Sequence, residues 1–79
     1  MKIPRDLKGS DLADILCRQW NYKVVHQRGS HIILETDIPS HQRISIPNHN
    51  PLRLGTLNSI LRAISRHKGV TKADIINTL

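Results

Sequence analysis

The hydrophobic period of this chain changes twice, and that double switch constrains its fold more than any other feature. Apolar residues recur every three or four positions up to Trp20 and again after Thr56, but every second position between Tyr22 and Pro47. Leu12, Ile15, Leu16 and Trp20 form the stripe of a first helix, with Ser10 as the expected N-cap, Asp11 in the first turn and Asn21 as a left-handed stop. Tyr22–Gln27, His31–Thr36 and Gln42–Ile46 then read as strands, separated by the turns Arg28-Gly29-Ser30 and Asp37-Ile38-Pro39-Ser40. Pro47 ends the third strand, because proline cannot donate to a ladder. Leu57, Ile60, Leu61 and Ile64 mark a second helix, capped by Thr56 and closed by Gly69. Thr71 to Asp74 has the form of a capping box opening a short last helix with Ile75, Ile76 and Leu79. The order α-β-β-β-α-α predicts an α+β two-layer sandwich, a three-stranded antiparallel sheet with helices on one face.

With 79 residues, one domain spanning 1–79 is expected, and no separate small-molecule cofactor domain fits. Its core must be aliphatic, since the chain has one Trp, one Tyr and no Phe. The single Cys17 permits no internal disulfide and points to a reducing, cytoplasmic setting. Lys2 to Gly9 contains no apolar run, so no signal peptide is expected; Pro4 and Gly9 make this basic lead-in irregular. No stretch reaches membrane-spanning length.

A formal charge of +6 favours polyanionic partners, nucleic acid first among them. The scarcity of aromatics argues against reading single strands by stacking, and favours recognition of phosphate and shape. Within that frame the triplet Gly29-Ser30-His31 stands out. Gly29 supplies the positive φ of a tight hairpin, Ser30 favours the turn or orients its neighbour, and His31 falls on the first residue of a strand. An imidazole with an ordinary pKa of ~6.5 can give or take a proton near neutrality. Spacing alone leaves His31 open between an acid/base group and a surface histidine without chemical consequence. Alternation sharpens its position: if Ile32, Leu34, Ile44 and Ile46 meet the helices, then His31, Arg43 and Ser45 share the open face. Val24 and Val25 leave the first strand undecided, so His26 could lie on either side.

Ile46-Pro47-Asn48-His49 brings a further histidine, either a second acid/base group, a phosphate contact or an exposed loop residue. Arg53-Leu54-Gly55-Thr56 combines a cation with a helix start, which suits a backbone phosphate or is an ordinary helix beginning. His26, His41 and His67 have weaker claims, since none sits at a rigid strand–turn junction. No histidine spacing demands a metal site, and no nucleophile elbow supports a Ser-His-Asp hydrolase.

The runs Val24-Val25-His26-Gln27-Arg28-Gly29-Ser30-His31, Ile46-Pro47-Asn48-His49 and Leu54-Gly55-Thr56-Leu57-Asn58-Ser59-Ile60-Leu61 resemble, in this order, the motifs of the HicA family of bacterial and archaeal toxins. The resemblance extends from the first helix to the last. It implies a fold like that of double-stranded-RNA-binding domains, and a type II toxin–antitoxin component that cleaves mRNA until a HicB antitoxin neutralises it. The family's catalytic histidine falls on His31, flanked by Gly29 and Ser30, and the second motif histidine on His49. This chain departs in carrying His26 where the family often has Arg, and in a longer Ser65-to-Lys68 stretch before Gly69.

Together these readings give an RNA endonuclease toxin without cofactor or metal. His31 is its acid/base group, Ser30 and His49 its possible support, and Arg28, Arg43, Arg53 and Thr56 its RNA contacts. A non-catalytic RNA-binding module using the same basic face is the alternative. A protein–protein module docking an acidic antitoxin is compatible with either.

Overall fold

A computed structural model describes residues 6–79. Pro4 of the expected lead-in lies outside them. Helix α1 spans Gly9–Gln19, strands β1, β2 and β3 span Lys23–Arg28, His31–Thr36 and Gln42–Pro47, and helices α2 and α3 span Leu54–Lys68 and Lys72–Ile76. The sheet is an antiparallel meander in the order β1-β2-β3. Leu12, Leu16, Leu34, Ile46, Leu57, Leu61, Ile64 and Ile75 are its most completely buried large side chains. The sheet residues among them share one face with the buried Ile32 and Thr36, so α1 and α2 cover that side, with α3 packed against α2. The opposite face is open, as the α+β two-layer reading expects.

Register explains which strand residues reach which side. Ile32 pairs with Ile46 and Leu34 with Ile44, whereas His31 pairs with Pro47, Ile33 with Ser45 and Glu35 with Arg43. Opposed residues in an antiparallel pair point to the same face. The first strand obeys the same rule only after an irregularity: Val24 pairs with Leu34, but His26 pairs with Ile33, leaving Val25 as the extra residue of a bulge. Below the bulge, His26 and Arg28 therefore turn to the open face, the side that alternation could not assign.

Two expected caps are replaced by other devices. Lys8, not Ser10, is the N-cap of α1, and it makes no side-chain cap bond. The amide of Gly9 instead donates to the His49 carbonyl at 2.9 Å, so a tertiary partner satisfies a first-turn N–H. Likewise α2 begins at Leu54 with Arg53 as its N-cap, which makes Thr56 a half-buried residue of the first turn rather than a cap. The local signals elsewhere hold. Asn21 has φ 63°, Gly29 56° and Gly69 69°, and the Thr71–Asp74 capping box is complete.

Away from the hairpin, α2 is tied to the sheet by polar contacts. Lys68 Nζ donates to Thr36 Oγ1 at 2.9 Å and to the Ile38 carbonyl at 2.6 Å, and lies 4.7 Å from the Tyr22 ring centroid. The Tyr22 hydroxyl donates to Gln42 Oε1, whose amide nitrogen in turn donates to the Ala63 carbonyl at 3.3 Å. His67 Nε2 donates to the Ser40 carbonyl at 2.8 Å. This end of the molecule uses its cation and imidazole for structure.

Candidate nucleic-acid interface

The β1–β2 hairpin closes through a two-residue turn, with Arg28 directly opposite His31. Positive φ is confined to Gly29, the first central position, where a side chain would be strained. A Cβ at Gly29 would meet no atom within 4 Å, so backbone conformation and not space is what glycine serves here. Ser30 follows, and its carbonyl accepts the Asn48 amide at 2.6 Å. That bond extends the β2–β3 pairing past Pro47 and fixes the start of the His49 loop against the hairpin turn. The loop is held from its other side by the Gly9 amide on the His49 carbonyl and by the Leu52 amide on the Leu7 carbonyl at 2.8 Å. Gly9 has no alternative in this arrangement, because a Cβ there would lie 1.9 Å from the Pro47 carbonyl oxygen. Three backbone segments thus converge around His31, and it is the side chain of a rigid position.

The structure brings Arg28, Ser30, His31 and the His49 loop to one end of the sheet. Arg43 shares the open face with His31 but not its neighbourhood. It stands opposite Glu35, four residues along β2, which is about 13 Å of strand rise. Its Nε lies 3.8 Å from Glu35 Oε2, a loose pair that offsets part of its charge. Arg53 is exposed at the start of α2, beyond the His49 loop. No side chain caps the first turn of that helix, so its amides face outward beside the guanidinium. Thr56 is half-buried there.

Between the strands lies a shallow depression of about 410 Å³, lined by Val25, His26, Arg28, Ile33, Glu35 and Arg43. Its floor is apolar, from Val25 and the half-buried Ile33, and its walls are cationic with one carboxylate. Ile33, opposite Ser45 on the open face, belongs here. His26 joins Arg28 there, and only the bulge beside it reveals its face. By contrast, His41 pairs with Asp37 at 3.2 Å, and the His67 ring is engaged by the Ser40 carbonyl, both remote from the hairpin turn in the register.

Among the described residues, no three His, Cys, Asp or Glu side chains are grouped to hold a metal ion, and no helix is long and apolar enough to cross a membrane. Cys17 is half-buried against the core, and burial pushes its thiol pKa up, away from reactivity.

In a comparison with known families, the family described as HicA toxin of bacterial toxin-antitoxin matches residues 9–65. No curated protein and no solved structure matches the chain. The matched segment runs from the first residue of α1 into the last part of α2. Helix α3 lies beyond it, so the likeness ends earlier than the sequence reading placed it, just where the Ser65-to-Lys68 stretch departs.

Proposed function

The chain belongs to the HicA family of toxins from bacterial toxin–antitoxin systems, and from that premise we propose that it is an mRNA endonuclease with His31 as an acid/base group. The observation that carries this reading is the rigid seat of His31. It is exposed on the open face, opposite Arg28, on a strand start whose flanking carbonyl holds the next loop. Cleavage of RNA without a metal needs a group that moves protons near neutrality and a cation for the charge that grows on phosphorus. His31 and Arg28 supply both on adjacent strands. Ser30 positions the turn, while His49 and Arg53 lie along the path by which a phosphate backbone would leave the sheet end. The reaction then proceeds in the cytoplasm, where mRNA is the available substrate.

A HicB-type antitoxin is the partner that this family membership supports, and covering the open sheet face would silence His31 and Arg28 together. The decisive experiment incubates purified protein with RNA in EDTA. Shortened products from the wild type, and none from His31→Ala at equal RNA affinity, support the reading. Bound but intact RNA would make the protein a non-catalytic binding module instead.

A further inference from the structure

The open face carries a second imidazole that the role of His31 leaves unused. His26 stands opposite Ile33 and lines the same depression as Arg28. Arg28 is the direct partner of His31, so His26 is two residues along β1 from that partner, in the regular part of the ladder. Diagonal neighbours of this kind sit on one face with Cα atoms about 7–8 Å apart. Both side chains are exposed, with the Arg28 guanidinium on the same face beside them.

That separation has a chemical meaning. Cutting RNA through its own 2′-hydroxyl is fastest with two proton carriers on opposite sides of one phosphorus. One accepts the 2′-hydroxyl proton as O2′ bonds to phosphorus. The other donates a proton to O5′ as the P–O5′ bond breaks and its electron pair leaves with the oxygen. The products are a 2′,3′-cyclic phosphate and a 5′-hydroxyl, and a neutral imidazole and an imidazolium have exchanged states. In an in-line displacement the two oxygens lie on opposite sides of phosphorus, so a single histidine beside one of them does not reach the other.

We propose that His26 is the catalytic partner of His31, the two forming the acid–base pair of an RNA transphosphorylation, with Arg28 beside them neutralising the phosphorane. The proposal rests on the nuclease reading above. His49 is the competing second histidine. It lies past the end of β3 in a loop, whereas His26 is fixed by the ladder on the same face as His31. The groups facing His26 are Lys23 and Arg28 on β1, His31 and Glu35 on β2, and Arg43 and Ser45 on β3. Cations predominate, and this environment suits a phosphate.

The test follows cleavage of a single-stranded RNA by the full chain from about pH 5 to about pH 9, with product ends identified. Wild-type protein should give a bell-shaped profile and 2′,3′-cyclic phosphate ends. His26→Ala and His26→Gln should cut about 10²–10⁴-fold more slowly, lose one limb of the bell, and regain part of the rate with added imidazole. RNA affinity and circular dichroism should stay at wild-type values. Variants that keep the bell, or that lose cleavage only in proportion to RNA affinity, overturn the proposal. Loss of a limb in His49→Ala but not in His26→Ala gives the role to His49 and overturns it too. A wild type that leaves RNA intact removes the nuclease reading itself, a failure distinct from the others.

Discussion

At the scale of single residues, two glycines show what a sequence can and cannot announce. Gly29 is legible because its demand is local: a two-residue hairpin needs a left-handed position, and its φ is 56°. Gly9 reads as a loose residue of the lead-in, because its demand is tertiary. The Pro47 carbonyl occupies the space a side chain would need. Gly9→Ala should therefore destabilise by about 1–3 kcal/mol, measured by urea unfolding, and a variant as stable as wild type would mean that the loop yields freely. His31 is the opposite case. It is exposed, so His31→Ala should change stability by less than about 0.5 kcal/mol while RNA cleavage is lost. A large shift in the unfolding midpoint would make His31 a structural residue. Tyr22 offers a third observable, since burial pushes its phenol up to about 12. A raised phenol stabilises the fold fully below its ordinary pKa of about 10 and loses that contribution as pH climbs through the folded value. Burial also draws the Lys68 ammonium down, which acts in the opposite sense. Tyrosinate absorbance isolates the first effect, because Tyr22 is the chain's one tyrosine. Its titration should centre near pH 12, and ionisation at the ordinary tyrosine value would show that the ring is solvated.

Elements were legible to the degree that their signals were local. β2 runs from His31 to Thr36 as its alternation predicts, and α2 buries the expected Leu57, Ile60, Leu61 and Ile64. The first strand was ambiguous because Val24 and Val25 satisfy either face. The bulge that decides between them is a property of pairing with β2, not of β1 alone. So the face of His26 was unreadable while that of His31 was not. Helix starts divide in the same way. Ser10 and Thr56 have the residue type of a cap but not the place, since the backbone turns helical before them. Thr71 works because its partner is its own Asp74: the hydroxyl accepts the Asp74 amide at 3.1 Å and the carboxylate accepts the Thr71 amide at 3.1 Å. Thr71→Ala should cost about 1 kcal/mol. Trp20 is a built-in reporter, as its indole N–H donates to Thr78 Oγ1 at 3.0 Å in the segment after α3. Fluorescence-monitored urea unfolding should show the shift, and an unchanged midpoint would mean that packing of Ile75 alone holds α3.

For the whole molecule, net charge predicts a polyanion but does not say which layer meets it. Helix α2 has no acidic residue and exposes Arg62 and Arg66 on the side away from the core. The open sheet face carries Lys23, Arg28 and Arg43 against Glu35. The two cationic surfaces lie on opposite sides of the sandwich, so one phosphate cannot touch both. Chemistry breaks the tie, since both proposed proton carriers stand on the sheet. RNA affinity measured against salt concentration turns this into a number. Each phosphate neutralised on a single strand contributes a slope of about −0.7 in log K against log salt. Arg28→Ala should weaken binding and flatten the slope by about that amount, whereas Arg43→Ala should flatten it less, because Glu35 already offsets its guanidinium at 3.8 Å. The double variant Arg62→Ala/Arg66→Ala should leave affinity and slope unchanged. If that variant instead carries the loss, RNA lies along the helices, out of reach of His31 and His26, and the sheet face is not the site of cleavage.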